Sequence, residues 1–491
     1  MKKLLYYTCL LLLLAPLSSC NKFLDLSPQD GITKQEFWRT KEDVKAAVFG
    51  CYSSLLAPPP NVRDKALTEY IFLWGELRAD MIGKTTYSTE EEKSIMDMNI
   101  LSTNSISSWA SFYRTINYCN TVLDFSPDAK KLDPTFSNTE YNQYIGEALT
   151  IRSLMYFYLV RTFGDVPLKL ISTARDTDIK EIGKTGQQEI LNQLVADLKK
   201  AQGYLPLTYG NDRADKGRVS RFAADALLAD VYLWMEKYPE CIQECDKVLA
   251  DTRFGYISGN SAWYNSVFFL GSSKETIFEF SNATSVNNIF YDLLVNTRKR
   301  FTASNFVGTE IFIPSDDADS VDTRGEGTFY LSNLTISKYG TENPSYVNFQ
   351  VYRYSDIKLM KAEALALTSR GAEALEIVNE LRNIRNAVGA SKENPDAGDA
   401  DAICDYILAE RGREFAFEGK RWFDILRNAK RGGYTAHGRA LIEGFVGKTV
   451  SVALQQSAIN KLKDANSHYL PISETELFAD TKLVQNPFYT K

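Results

Sequence analysis

Histidine is nearly absent from this chain of 491 residues, which contains only His437 and His468. Neither lies in a His-Glu-x-x-His zinc helix, and the chain also lacks a nucleophile elbow and a Gly-x-x-x-x-Gly-Lys-Ser/Thr phosphate loop. Among the 62 acidic residues, no pair is marked by its context for glycoside hydrolysis. The sequence therefore predicts a protein that binds rather than an enzyme, with no cofactor and no metal.

Positive charge is also in deficit, with 56 Lys and Arg against 62 Asp and Glu. No basic patch offsets this balance, which argues against a nucleic-acid partner. Long hydrophobic runs are missing beyond the first 17 residues. No later stretch approaches the length of a transmembrane helix.

The N-terminus has the pattern of an export signal. Two lysines precede the apolar stretch Leu4–Leu17, and residues 17–20 read Leu-Ser-Ser-Cys. This ending resembles a bacterial lipobox, which implies that residues 1–19 are removed and that Cys20 is lipidated. Ordinary signal-peptide cleavage with an unmodified Cys20 is the alternative. The sequence predicts a protein that is anchored to a membrane but does not span it.

Five cysteines follow Cys20, an odd number for an exported protein. They fall on apolar helix faces, where free cysteine behaves as a small hydrophobic residue. Cys241 and Cys245, four residues apart on one helix, could hold a metal only with further ligands that the surrounding sequence lacks. We therefore expect all five to serve in packing: Cys51, Cys119, Cys241, Cys245 and Cys404.

Helical hairpins dominate the pattern of the chain. Tyr354–Arg385 has apolar residues at helical spacing on both sides of Gly371, with small residues that let two helices approach closely. This is typical of tetratricopeptide repeats, whose helix pairs bury their faces against neighbouring pairs. Similar helices, about eight in four pairs, are predicted after a Thr40–Asp43 capping box, at Ile106–Leu123, Tyr141–Phe163 and Glu189–Ala201, and in the hairpin Ser220–Asp251 with Ser220 as its cap.

The stretch Thr252–Asn348 differs from the rest. It is rich in Gly, Ser, Asn and aromatic residues, lacks helical periodicity, and has strand-like runs at Thr276–Phe280 and Phe329–Ile336. A long segment of this kind is more often functional than accidental. We therefore expect the ligand-binding region here.

Several blocks of sequence together resemble the SusD/RagB family of surface glycan-binding lipoproteins. They occur in the family's order and span nearly the whole mature chain. One departure is Phe488, where the family usually has glycine. The blocks are NKFLDLSPQD, EFWRTKEDVKAAVFGCYSSL, EALTIRSLMYFYLVRTFGDVPL, KGRVSRFAADALLADVYL, ERGREFAFEGKRWFDILR and YLPISETEL followed by QNPFY.

The resemblance implies a mostly α fold: one SusD-like domain over residues 20–491, following a signal peptide over residues 1–19. A tetratricopeptide-like scaffold of about four helical pairs, over about 36–251 and 351–430, would carry a loop-rich, partly β region over about 252–350, followed by a tail over 431–491. The implied function is to bind oligosaccharides at the surface of the outer membrane. The implied partner is a TonB-dependent transporter of the SusC type, which receives the glycan.

Ligand contacts are predicted in two places that the family uses. The loop Gly83–Asn104 offers Tyr87 beside the acidic run Glu90–Glu92, and the loop-rich region offers Trp263, Tyr264 and Tyr291. Local packing is the alternative for each aromatic residue. The other five tryptophans, Trp38, Trp74, Trp109, Trp234 and Trp422, are predicted to be structural. Oligopeptide capture, or a lid that binds nothing, is the alternative function.

Charged residues recur at helical spacing through Glu410–Arg427, around four aromatic residues. Charges of both signs in this pattern favour ion-paired packing between repeats over catalysis. Arg152, on the apolar side of its helix, is likewise predicted to be a paired structural arginine. We expect the helix here to stop near Gly419 and to resume at Arg421.

Overall fold

The computed structural model describes residues 37–58, 64–174, 178–258, 263–281, 288–313, 321–340, 347–387 and 393–490. The predicted signal peptide and Cys20 lie outside the described residues. No helix in the described ranges is both long and apolar enough to cross a membrane.

Sixteen α-helices and four short strands are described. The helices are α1 Lys41–Leu56, α2 Leu67–Glu76, α3 Glu90–Met96, α4 Ala110–Leu132, α5 Asn138–Phe163, α6 Gln187–Tyr204, α7 Asp212–Gly217, α8 Arg221–Trp234, α9 Tyr238–Leu249, α10 Tyr354–Ala366, α11 Gly371–Ile384, α12 Ala400–Glu414, α13 Arg421–Tyr434, α14 Ala436–Val446, α15 Gln455–Leu462 and α16 Glu474–Ala479. The strands are β1 Ile82–Lys84, β2 Thr276–Phe280, β3 Phe301–Ala303 and β4 Phe349–Arg353.

Four pairs of consecutive helices, each joined by a short turn, form the scaffold: α4 with α5, α8 with α9, α10 with α11, and α12 with α13. Successive pairs also touch, because α6 packs on both α5 and α8, and α9 packs on α10. Each helix therefore buries its apolar face against the next in a continuous stack. The predicted tetratricopeptide-like scaffold of about four pairs is confirmed.

Local sequence explains most helix boundaries. The Thr40 side chain and the Asp43 carboxylate cap the start of α1 reciprocally, as predicted. Helix α5 ends at Gly164, whose φ of 79° suits glycine. Ser220 occupies the N-cap position of α8, as predicted, but its side chain makes no capping hydrogen bond.

Several helices differ from the sequence prediction, and α3, α7, α14, α15 and α16 were not predicted at all. Helix α4 continues to Leu132, well beyond the predicted end at Leu123, and contains Pro127. Helix α2 was not predicted, although Leu67, Tyr70, Ile71 and Trp74 recur in it at helical spacing. All but one of its residues are buried, including the polar Thr68 and Glu76.

The described residues of the loop-rich segment, 252–348, have little regular structure. Strand β2 forms where predicted and pairs antiparallel with β4, while β1 pairs antiparallel with β3. The predicted strand Phe329–Ile336 is wrong, since only isolated bridges occur there. The segment also contains three π-helical turns, at Asn265–Leu270, Tyr291–Val295 and Val307–Ile311, although no helix was expected.

Buried residues confirm several packing predictions. The five described cysteines are free and buried. Arg152 makes an ion pair of 2.6 Å with Asp197, so it is the paired structural arginine that the sequence predicted. All five tryptophans predicted to be structural are buried, and Trp263 is buried with them.

Candidate ligand-binding site

Tyr87 lies at the tip of a tight turn between β1 and α3, with 52% of its surface exposed. The turn is held from within, because the Thr85 amide donates to the Ser88 hydroxyl at 2.8 Å and the Tyr87 amide donates to the Thr85 hydroxyl at 3.1 Å. An exposed aromatic ring on a fixed backbone is available for stacking at little entropic cost.

The same turn is fastened to the loop-rich segment. The Thr85 hydroxyl donates to the Lys299 carbonyl at 2.8 Å, and the Ser88 hydroxyl donates to the Arg300 carbonyl at 2.5 Å. The Arg300 amide in turn donates to the Leu293 carbonyl at 2.9 Å, within the π-helical turn that begins at Tyr291. The structure thus joins the segments that carry Tyr87 and Tyr291, which are about 200 residues apart in the sequence.

The acidic run beside Tyr87 has a structural role. Thr89 and Glu92 form a capping box at the start of α3, where carboxylates are favoured by the helix dipole. The buried Glu92 also forms an ion pair with Arg300. These contacts position the loop and leave Tyr87 as its exposed aromatic group.

A buried aromatic layer supports the π-helical turns next to Tyr291 and Tyr264, whose own side chains are half-buried. Phe290, next to Tyr291, stacks on Tyr339 with ring centres 4.2 Å apart. Phe268, in the π-helical turn after Tyr264, meets the edge of the same Tyr339 ring at 5.9 Å. The Tyr339 hydroxyl donates to the Phe417 carbonyl at 2.8 Å, which ties both turns to the scaffold.

Trp263 is part of this support, since only 2% of its surface is exposed. Its ring meets the edge of Phe329 at 5.9 Å, and the Arg385 guanidinium lies 3.7 Å from its centre. A ligand would reach this ring only if the ring left these contacts. Tyr264, by contrast, is half-buried and packs against Phe269 at 6.2 Å.

Exposed groups that sequence reasoning missed lie beside the predicted aromatics. Asp292 and Arg298 are exposed on the segment that follows Tyr291. Leu270, at the end of the turn after Tyr264, has 80% of its surface exposed. The only signal for these residues was their place in the loop-rich segment, because no motif distinguishes them.

A network of buried ion pairs anchors the loop-rich segment to the scaffold. Glu414, on α12, accepts from three guanidinium groups, those of Arg324, Arg353 and Arg385, at 2.8–3.2 Å. Lys338 of the loop-rich segment donates to Glu418 at 2.6 Å. The predicted ion-paired packing is confirmed, but its partners extend beyond neighbouring repeats. They include the loop-rich residues Glu275, Asp322, Arg324 and Lys338.

Two carboxylates of this network stay ionised despite full burial. Burial alone would raise the pKa of Glu414, but Arg385, Arg353 and Arg324 outweigh it and hold the pKa well below its usual value. Glu410 behaves in the same way, with a pKa of about 2. These carboxylates are therefore ionised anchors, and none of them has the raised pKa that a general acid requires.

Two glycines allow the scaffold to approach the turn that carries Phe417. A Cβ on Gly75, in α2, would lie 1.8 Å from the Gly419 carbonyl oxygen, and Gly419 itself has a φ of 72°. The Gly419 amide donates to the Glu76 carboxyl at 2.8 Å. Burial raises the pKa of Glu76 to about 8, so this carboxyl is protonated at neutral pH.

Comparison with known proteins identifies the family. Residues 253–489 match the sequence profile of the SusD family, and residues 22–233 match a profile described as starch-binding associating with outer membrane. The two matches together span most of the chain. The chain belongs to the SusD family, as its sequence blocks predicted.

Relatives of known name support this assignment over most of the chain. The chain is 25% identical to SusD-like protein P38 of Formosa agariphila, covering 86% of this chain and 90% of that protein. It is 26% identical to SusD-like protein P2 of the same organism, covering 87% and 91%.

Solved structures share the fold. A SusD superfamily protein of Bacteroides thetaiotaomicron has a TM-score of 0.73 at 22% identity, covering 92% of this chain and 99% of its own. The surface glycan-binding protein A of Bacteroides uniformis has a TM-score of 0.70 at 19% identity, covering 91% and 100%. The mostly α fold is thereby confirmed.

Proposed function

We propose that this chain binds oligosaccharides at the surface of the outer membrane and delivers them to a TonB-dependent transporter of the SusC type. The observation that carries this proposal is the exposed Tyr87 ring on a turn pinned to the Tyr291 segment. The family supports it, because one matching profile is described as starch-binding associating with outer membrane, and one structural neighbour is named a surface glycan-binding protein.

The chemistry of the surface suits a sugar ring. A pyranose presents a flat face of C–H groups, which packs on an aromatic ring, and a rim of hydroxyls, which need polar partners. Tyr87, Tyr264 and Tyr291 supply aromatic faces in this proposal, and the exposed Asp292 and Arg298 supply hydrogen bonds. The ligand is bound and released unchanged.

In this proposal Trp263 supports the binding surface without touching the ligand, unless the ligand displaces its ring. Its contacts with Phe329 and Arg385 fix the start of the turn that carries Tyr264. The turn is thereby set in place before the ligand arrives, which lowers the entropic cost of binding. Direct stacking of a sugar on Trp263 requires the turn to open.

The lipid on Cys20 completes the proposal by fixing the protein at the membrane. Several acyl chains on one cysteine bind a bilayer firmly, since each buried methylene contributes about 0.8 kcal/mol. The chain would then stay at the membrane beside its transporter.

Calorimetry on the chain from residue 21 onward tests the proposal. Panels of host and dietary oligosaccharides, and mixed peptides, are titrated into the wild type and into Tyr87→Ala and Tyr291→Ala. We expect one glycan class to bind, and each variant to lose about fivefold or more in affinity. Tyr118→Ala, which removes an exposed tyrosine on α4, is the matched control and should bind as wild type.

Two outcomes would refute the glycan proposal. Binding of peptides without glycans would assign the same surface to oligopeptide capture. If neither glycans nor peptides bind to a chain that melts cooperatively, the result would favour a lid that supports the transporter without a ligand of its own.

A further inference from the structure

A concave site lies between helices α12 and α14. Its volume is about 480 Å³, and its floor is formed by Leu408 and Ala409 of α12 and by Leu441, Gly444 and Phe445 of α14. This volume is typical of a site for a small ligand, and so is a mainly apolar floor with a few polar groups at its edge.

One end of this α12–α14 groove carries a carboxylate beside an imidazole. Asp405 Oδ1 lies 3.1 Å from His437 Nε2, and the two side chains are 44% and 39% exposed. At the other end, Lys448 lies two residues beyond the end of α14 at Val446. The polar groups thus bracket an apolar floor.

The other charges around the groove are already engaged. Glu393 forms an ion pair of 3.1 Å with Arg413, and Lys448 forms one of 2.5 Å with Glu310. The negative charge of Asp405 is balanced less fully by its neighbours. Burial raises its pKa, and the hydrogen bond with His437 and the charge of Arg431 offset this only in part. A cation placed against Asp405 would stabilise its ionised form.

We propose that the α12–α14 groove binds an amine-bearing saccharide. Its C–H face would pack on Leu441 and Phe445, its ammonium group would meet Asp405, and a neighbouring hydroxyl would meet the His437 ring. An ammonium–carboxylate hydrogen bond is stronger than a neutral one, so the amine decides the selectivity. This site is separate from the proposed oligosaccharide surface around Tyr87 and does not depend on it.

The test compares two probes that differ only at the amine. A β-1,4-linked glucosamine hexasaccharide and its N-acetylated counterpart are titrated into the full chain at mildly acidic pH, where the amines are charged. We expect the amine form to bind at least tenfold more tightly. Asp405→Asn should weaken it by about tenfold, because a hydrogen bond between charged groups is lost.

A second variant blocks the groove without harming the fold. A Cβ on Gly444 would meet nothing within 4 Å, so Gly444→Leu fits the backbone and places a side chain over the floor. It also replaces glycine within a helix by a good helix former. We expect this variant to melt no lower than wild type and to lose binding of the amine form. Glu443→Gln, on the same helix but outside the lining, is the control that should retain it.

Several results would overturn the proposal. These are no binding of the amine form, equal binding of both probes, or full binding by Asp405→Asn and Gly444→Leu. Binding of a lysine-containing peptide without the amino hexasaccharide would also overturn it. If the Tyr87 surface fails to bind oligosaccharides, a positive result for the α12–α14 groove remains valid, because each site is tested with its own variants.

Discussion

Replacing Glu414 with glutamine should loosen the loop-rich segment from the scaffold. One carboxylate oxygen accepts from Arg353 at 2.8 Å and from Arg385 at 3.0 Å, and the other accepts from Arg324 at 3.1 Å and from Arg385 again at 3.2 Å. Glutamine keeps the shape but removes the charge, and it turns an NH₂ group toward one of the guanidinium groups. Buried cations are then left without their central partner.

The free energy of unfolding should fall by about 3–5 kcal/mol, the loss that follows when one member of a buried ion pair is removed. The entropy of unfolding is about 2.1 cal/mol/K per residue, so a chain of this size has about 1 kcal/mol/K, and Tm should fall by about 3–5 °C. The matched control is Glu373→Gln, which removes a carboxylate paired with Arg370 at 2.6 Å where the two side chains are 51% and 45% exposed. We expect no measurable change in Tm from that control.

Two measurements check this reasoning. Calorimetric melting gives Tm for the wild type, Glu414→Gln and Glu373→Gln at neutral pH. Hydrogen exchange then shows whether the amides of residues 263–281 and 321–340 lose protection in Glu414→Gln before those of α5 do. Selective loss in the loop-rich segment is the expected result, because Arg324 belongs to it and α5 lies outside the network.

The effect should also depend on pH. The pKa of Glu414 is held below its ordinary value of 4.5 in the folded state, so its stabilisation is present above that value and is lost as pH falls through the folded-state pKa. The difference in Tm between wild type and Glu414→Gln should therefore be full at neutral pH and should shrink below about pH 4.5. A difference no larger than that of the Glu373 control, or one that persists unchanged in acid, would refute the argument.

Three further changes test other parts of the scaffold. Gly75→Ala should destabilise the protein severely, because its Cβ would lie 1.8 Å from the Gly419 carbonyl oxygen. Gly203→Ala is the control. A Cβ there meets nothing within 4 Å, so Tm should stay unchanged or rise slightly. Glu76→Gln should have a higher Tm than wild type at pH 8, and this difference should disappear below about pH 4.5. The folded-state pKa of Glu76 is raised to about 8, so wild type loses stability as pH rises from about 4.5 toward that value. Thr40→Ala should cost about 1 kcal/mol in chemical unfolding, because it removes the cap of α1.

The helical scaffold was predictable from the sequence because its signals are local. The periodic apolar residues of Tyr354–Arg385 and the turn just before Gly371 define α10 and α11 without reference to the rest of the chain. Helix α2 has a local signal as well, since Leu67, Tyr70, Ile71 and Trp74 recur at helical spacing, but it was not predicted. Its burial on nearly every side, polar Thr68 and Glu76 included, is set by tertiary packing, which local spacing does not show.

The candidate site was predictable only to the level of segments. The sequence indicated the loop of Tyr87 and the stretch that holds Tyr291, but not that Arg300 joins them, since that contact links distant parts of the chain. Nor could composition tell which aromatic residues of a loop face outward. The role of Trp263 in ligand binding stays a prediction, and its ring lies under the surface because Arg385 and Phe329 hold it there.

The loop-rich segment has two kinds of side chain, buried ones that fix it to the scaffold and exposed ones at the tips of its turns. This division follows from how little regular structure its described residues have. Among its described residues, backbone pairing is limited to short strands, isolated bridges and π-helical turns, which are too few to fix a binding geometry. Buried side chains therefore take over this task, with Lys338 and Arg324 ion-paired to the scaffold and Tyr339 bonded to it. Such anchors are sensitive to any change of charge or volume, because they are fully buried. Exposed tips such as Tyr87 are not under that constraint, so changes there should alter the ligand while the fold is retained.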